Sequence, residues 1–346
     1  MNGTEVKGDT NHSFMHPGGM LRPVGNAGKR IWGRAVFLTL LAFVWALPQY
    51  AHDQFASGTG TPSDPYIITT AAAVDDVRNY LSAHFRLAGN IDLTQFIGDY
   101  SPIEGWVYIG TVNALFPDAD SFNGSFNGAG HKITGLWANR SGSLTVNPVS
   151  YRGLFGVVYG ARIDSVGVEI DNSAGHAIHG NVAVGGLVGQ ANNALINACY
   201  VTGYITVRSI TPGKGGGGLV GENINSTITN SYFAGTVDGT GDSNKGVGGL
   251  VGQHTHSTLE NCYAVATISG TGSVSSNYRG GLAGESTHSN ITNGYAAGDI
   301  FSGVRGVLVG TRSAGNFTDC CYDNTIAGQT RYDMTPSPVV RGRGRG

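Results

Sequence analysis

The 346 residues suffice for one large or two ordinary domains, and a 40% hydrophobic content supplies a core. Only 13% of the residues are charged, against about 25% in an average soluble domain, and 56 glycines stand among the Ser, Thr and Asn that replace them. A net charge of −2 excludes any global attraction to nucleic acid or acidic lipid, so a charged partner must be met by a local patch.

In chain order, Lys29, Arg30 and Arg34 precede the apolar run Ala35 to Leu47, which is shorter than the ~20 residues of a bilayer span. The run reads as a secretory signal, with Val44 and Ala46 placing cleavage after Ala46 and Ala51 as a second candidate. An uncleaved anchor is the alternative, and Met20 is an alternative start. Residues 1–51 are thus an N-terminal extension and signal peptide. The product is expected to be secreted or held at the cell surface, with no integral membrane association after cleavage. Residues 57–150 form an N-terminal cap and first coils. There DPYIITTAAAVDDVRNYLS offers a strand and then a Thr-initiated helix from Ala71 to Leu81, a lid for the open end of a solenoid. FRLAGNIDLT and SFNGSFNGAGHKITGLWAN read as strands of wider initial coils.

Residues 151–330 repeat. GLFG, three copies of GGLVG, GGLAG and GVLVG close on Gly156, Gly189, Gly221, Gly252, Gly284 and Gly310, in steps of 33, 32, 31, 32 and 26. Seven places after each closing glycine stands Ile163, Ile196, Ile228, Leu259, Ile291 or Phe317; four further on come Tyr200, Tyr232, Tyr263 and Tyr295, while Tyr322 arrives one place late. Alternating stretches such as ITNSYFAGTV are half-buried strands that cannot cover their own apolar face. Stacking covers it, with equivalent strands pairing in parallel about 4.8 Å apart and crossovers running right-handed. The fold expected is all-β, a right-handed parallel β-helix with an N-terminal capping helix. The motif glycines read as corners, sharp turns or positive φ. The tail 331–346, ending RGRGRG, reads as flexible.

The recurring GLVG-x-N followed by I-x-N-C-Y-A-x-G-x-V resembles the GLUG repeat family of exported bacterial surface proteins. The upstream G-T-x-x-D-P-Y-x-I, N-I-D-L and F-N-G-x-F-x-G-x-G-H-x-I pieces resemble the leader that often precedes such repeats, so the likeness spans about 57–330. It implies a right-handed β-helix on a secreted or surface-attached protein, an adhesin or a non-catalytic segment of a larger exported enzyme. Ser231 and Gly294 stand where the family commonly has cysteine.

Repeat register sorts the candidate site residues. Cys199, Ser231, Cys262, Gly294 and Cys320 share one place, so the cysteines lie two rungs apart, roughly 9 to 10 Å, too far for a disulfide. They read as core thiols, with Cys321 facing the other way. Gln190, Glu222, Gln253 and Glu285 follow the closing glycines and read as a structural ladder that keeps its carboxylates two rungs apart, as do Tyr200, Tyr232, Tyr263 and Tyr295. His254, His256, His288 and the HAIH of 176–179 match no standard metal spacing. No cofactor, metal or catalytic residue is assigned. Arg152, Lys214, Lys245, Arg279 and Arg305 precede the motif glycines by four to seven places and could form a basic stripe for an anionic glycan or lipid headgroups.

The function expected is a secreted or cell-surface binding and structural module, adhesin-like and monomeric. It would present a rigid face to glycan, matrix or protein partners, and not to nucleic acid. Two alternatives stand beside it: a polysaccharide-active lyase or hydrolase using Asp92, Asp99, Glu104, Asp118 or Asp120 with Arg140 or Arg152, and a spacer segment of a larger exported protease.

Overall fold

Residues 220–248 make one full turn of the chain over four faces. Val220–Ile224 lies on one sheet, Thr227–Thr229 on a second and Tyr232–Gly239 on a third. Asn244–Gly248 lies on a fourth, before Val251–Thr255 starts the next turn above the first. The computed structural model describes residues 54–111, 120–139, 151–208, 214–240, 244–270, 278–301, 304–323 and 341–343. The signal segment lies outside the described residues. Strands stack in sequence order, Val188 against Val220, Val220 against Val251, Val251 against Ala283 and Ala283 against Val309. These offsets repeat the glycine steps. All named strand pairs are parallel, and the chain is the parallel β-solenoid expected from its repeats.

The interior is filled in rows. Leu219, Leu250 and Leu282, then Ile196, Ile228, Leu259 and Ile291, then Ile205, Val237 and Ile268 are all buried, one per coil. Each such side chain removed from water favours the stack by about 1.5–3 kcal/mol. Volume is balanced between rows: Phe233 lies where a Cβ on Gly218 would come within 2.0 Å of its ring, and Ala264 lies beside Gly249 in the next coil.

The motif glycines do something other than turn the chain. None of Gly189, Gly221, Gly252, Gly284 and Gly310 has a positive φ. A Cβ on Gly221 would lie 2.5 Å from the Val184 nitrogen and 2.6 Å from the Gly189 oxygen, so these glycines exist because the backbone of the preceding coil passes too close for any side chain. The corners are taken by other residues. Asn193, Asn225, His256 and His288 occupy one left-handed corner, and Ala198, Asn230, Asn261, Asn293 and Asp319 the next, all with φ between 48° and 53°. Asparagine suits this region because its short amide bonds locally. Here the amides also chain across coils: Asn230 donates to Asn197 at 2.9 Å, Asn261 to Asn230 at 3.2 Å and Asn293 to Asn261 at 2.9 Å. Beside the first corner, Ser226, Ser257 and Ser289 accept through Oγ from the amides of Ala194, Ser226 and Ser257.

The helical lid is present but short. Thr70 Oγ1 caps it by accepting from the Ala73 amide at 3.2 Å, and Ala73, Val74 and Val77 enter the same core as the strands. The helix spans Ala71–Asp76 and tightens to a 3₁₀ turn over Val77–Asn79, short of the expected Leu81. The chain must then run as His84–Leu87, paired beside Tyr66–Ile68. A second helix, Thr94–Tyr100, was hidden in the sequence by Gly98. Within the stretch read as a flexible tail, Arg341–Arg343 pairs in parallel with Cys321–Asp323.

One interior row is polar. Asn223, His254 and Ser286 succeed one another in register and are fully buried. Asn223 Nδ2 donates to His254 Nδ1 at 3.1 Å, which puts the ring proton on Nε2, 3.4 Å from the Asn290 carbonyl it faces. Burial pulls the His254 pKa down to about 4. The folded state therefore holds a neutral ring that the unfolded chain protonates below its ordinary value near 6.5. Stability is complete above that value and is lost as pH falls from about 6.5 to about 4, by about 3 kcal/mol in all. Denaturant midpoints measured across this window are expected to fall with acid, and His254→Asn is expected to flatten most of that fall. An unchanged slope in the variant would remove His254 from the account.

Candidate functional site

The tyrosines stack as a column on the outside of the third sheet. Tyr200, Tyr232, Tyr263 and Tyr295 stand in one register, with ring centroids of the first three 5.1 and 4.7 Å apart and planes within 7° of parallel. A Cβ on Gly167 would meet the Tyr200 ring at 2.2 Å, so the upper face of the column is covered by Gly167 and the inner faces by neighbouring rings. The stacked rings of Tyr200 and Tyr232 thus offer mainly phenol edges and hydroxyls to solvent. Tyr200 Oη lies 3.4 Å from Glu169 Oε1, which is also held by Lys132 Nζ at 3.0 Å; burial and then the Glu169 charge hold the Tyr200 phenol above its usual range.

Gln190, Glu222, Gln253 and Glu285 also fall in register. Gln190 Nε2 donates to Glu222 Oε2 at 2.7 Å and Gln253 Nε2 to Glu285 Oε2 at 3.3 Å, so amides separate the carboxylates. The four cysteines are free. Cys199, Cys262 and Cys320 are buried, and each Sγ turns to the carbonyl two residues back, as Ser231 Oγ does at 2.7 Å. Burial pushes the Cys199 thiol up to about 12 and Cys262 up to about 11. Cys321 takes the tyrosine's place beside Tyr295, which leaves the late Tyr322 facing inward against Ala296.

Two of the five residues of the expected basic stripe lie in the interior. Arg152 and Arg279 are buried, and Arg279 donates to the carbonyls of Gly239, at 3.0 Å, and Ser269. Arg152, Val184, Gly216, Val247, Arg279 and Arg305 share one register position, whereas Lys214 pairs with Asn244 two places earlier. The signal was present: Val184, Val247 and Arg279 each stand five places before a closing glycine, and the valines mark that row as interior, while Lys214 and Lys245 stand seven places before. Arg152 covers the Tyr108 ring, with its guanidinium carbon 4.9 Å from the centroid.

The acidic residues of the enzyme reading begin at Asp92, on the short strand Ile91–Asp92. Asp92 accepts from the Thr94 amide at 2.9 Å, and bonds from Thr94 hold its carboxyl below the usual range. A general acid needs the opposite shift. Asp118 and Arg140 lie outside the described residues. His256 and His288 stack at 5.1 Å in their corner, and no group of three metal-holding side chains occurs among the described residues.

A concavity lies where sequence reasoning placed nothing. Glu169 pairs with Thr202 and Ile178 with Ile205, so residues 170–177 face only Gly203 and Tyr204 of the next coil. The surplus chain bows outward through the 3₁₀ turn Ser173–Gly175 and leaves a cleft of about 640 Å³. Its lining includes Asn172, His176, Thr202, Tyr204 and Thr236. Gly203, at φ 126°, and Gly235, at φ 155°, let successive coils bend together here, since a Cβ on Gly235 would meet the Gly203 oxygen at 2.0 Å. His176 stacks on Trp137 at 4.2 Å, and its Nδ1 lies 2.7 Å from Asp171 Oδ2. Burial raises the Asp171 carboxyl, but bonds from His176 and Ser173 together bring it below the usual range, so it is an anion that accepts from the ring. The HAIH motif marked this place, although for metal and not for a cleft.

The geometry defines a tandem-repeat β-solenoid whose coils are keyed by glycine. Residues 213–238 and 243–269 match the GLUG motif, each covering one coil, so the chain carries at least two GLUG repeats. It is 38% identical over 130 residues to a protein of Evansella cellulosilytica described as a candidate Gly-rich membrane protein, a match covering 36% of this chain and 13% of that one. It is 32% identical over 183 residues to halomucin of Haloquadratum walsbyi, covering 51% of this chain and 2% of that one. The chain thus spans a small part of the length of either relative. Among solved structures, one described as a candidate immunoglobulin A1 protease from Bacteroides ovatus superposes with a TM-score of 0.61 at 23% identity. It covers 84% of this chain and 85% of its own, a likeness of fold.

Two outcomes check this assignment of side chains. In the native chain a thiol reagent is expected to modify Cys321 readily and the other three cysteines only after unfolding; rapid reaction of two or more thiols would contradict the buried row. Arg279→Met is expected to lower the unfolding free energy by about 2–3 kcal/mol, because two buried carbonyls lose a charged donor. The same variant should adsorb to a polyuronate as the parent does, and selective loss of that adsorption would return Arg279 to the surface.

Proposed function

We propose that the chain is a surface or exported repeat module that binds a glycan, matrix or protein partner through its rigid outer faces, without catalysis. The observation that carries this reading is the continuous register of the third sheet over successive coils from Tyr200 to Tyr295. It presents the same side chains at rung spacing along the third sheet and suits repeated, individually modest contacts. The names of the two relatives, a membrane protein and halomucin, support placement at a cell surface. The small share of those relatives that the chain matches supports a segment working within a longer surface protein, which is the spacer reading in its binding form. The lowered Asp92 and Asp171 carboxyls weigh against a lyase or hydrolase.

Glycan and matrix-protein arrays run beside a turnover assay on uronate polymers test the choice. Retention on at least one array class with no product is the expected result. Product release abolished by Asp92→Asn or Asp171→Asn would replace the binding module with an enzyme.

A further inference from the structure

We propose that the cleft between residues 170–177 and the strands at Gly203 and Gly235 is a binding site for a short stretch of neutral glycan, an inference that rests on the binding reading above and names its ligand class. Its volume of about 640 Å³ falls within the ~300–1,000 Å³ of small-molecule sites. The polar groups at its lining are hydroxyls from Thr202, Tyr204 and Thr236, the Asn172 amide and the His176 ring. Among the described residues that line it there is no Lys or Arg.

The charges behind the lining decide the ligand's sign. Asp171 holds His176, and Asp238 accepts from Tyr204 Oη at 3.3 Å and from Ser269 Oγ at 3.1 Å. Glu169 stands in register with Thr202 at the rim. Glu169 is offset by Lys132 Nζ at 3.0 Å, so an anionic sugar would meet the two carboxylates of Asp171 and Asp238 behind a lining without Lys or Arg. A polyhydroxylated neutral ligand meets a matched set instead. With its proton given to Asp238, the Tyr204 oxygen is free to accept, and the Asn172 amide and the threonine hydroxyls supply donors. The Trp137–His176 stack stiffens one wall, so little side-chain freedom is lost on binding. Among the described residues of the third sheet the bow is not repeated in the later coils, which pair Tyr200–Val207, Tyr232–Gly239 and Tyr263–Ser269 with no surplus residues.

The test is an amide-resolved NMR titration of the full chain with neutral gluco-, manno- and galacto-oligosaccharides and, in parallel, with oligogalacturonate. Shifts are expected at Gly203, Tyr204 and Gly235 with at least one neutral series, and at least tenfold weaker binding of the uronate. Ala234→Trp and Thr236→Trp, which fill the cleft from two positions, are each expected to weaken the neutral ligand at least tenfold with an unchanged melting temperature. Tyr204→Phe should weaken it about threefold to tenfold. Neutral binding that moves other amides and survives both tryptophans would overturn the cleft while leaving the binding module intact. Tighter uronate binding at the same amides would overturn the neutral class. Silence toward every saccharide, with a matrix protein still retained on arrays, would sink this site alone; silence on the arrays as well would sink both readings.

Discussion

The constraint on which the molecule depends is the close passage of one coil's backbone over the next at the motif glycines. Where a Cβ on Gly252 would sit 2.6 Å from the Gly216 nitrogen and the Gly221 oxygen, no other residue fits, and no sliding of one coil along another is possible without placing a side chain there. A parallel sheet alone fixes register weakly, since a shift by two residues restores both the hydrogen bonds and the inward face. The glycine row removes that freedom. Tyrosine then meets tyrosine, amide meets carboxylate and asparagine meets asparagine, not because each pair selects its partner but because the backbone contact has already set the height of every rung.

Ladders follow as a secondary benefit of that register. A column of like side chains is unfavourable when the groups repel, and the Gln190–Glu285 row avoids this by alternation. Glutamates alternate with glutamines, and Cys199 and Cys262 are separated by Ser231. Gly294 takes the same place in the next coil, where a Cβ would press to 2.8 Å on Ile291 and Leu282. The interior tolerates polarity on the same terms: a buried His254 is admitted because Asn223 in the coil before it and the Asn290 carbonyl opposite satisfy its two nitrogens.

Much of this was legible in one sequence because periodicity substitutes for an alignment. The spacing of Gly189, Gly221, Gly252 and Gly284 located every rung, and counting from them placed the tyrosines, the Gln–Glu row and the thiols. What counting from glycine could not show was direction and space. It took the motif glycines for corners, although the corners belong to Asn225 and Asn230 and their equivalents, because both explanations of a recurrent glycine leave the same trace in sequence. It gathered Lys214 and Arg279 into one stripe, although Arg279 is buried and Lys214 stands two places before that row, with a register shift between Lys214 and Gly216. The cleft was invisible for a related reason: residues 170–177 are surplus relative to their neighbours, and surplus is apparent only once the partners Glu169–Thr202 and Ile178–Ile205 are known.

That surplus also explains why selectivity should reside at a flaw in the repeat. A perfect solenoid presents one chemistry at every rung, so it can gain strength from many contacts but cannot concentrate different groups around a single ligand. Concentration requires residues from unlike segments at one point, and here the bowed segment brings Asn172 and His176 against Thr202, Tyr204 and Thr236 of the two following coils. The strands continue past it in register, from Tyr200 to Val207 against Tyr232 to Gly239, so the interruption costs the stack only the pairing of Gly203 and Tyr204 on one side. On the proposed reading, a rigid repeating frame with one local departure combines an avid, unselective face with a small site that chooses its ligand by charge.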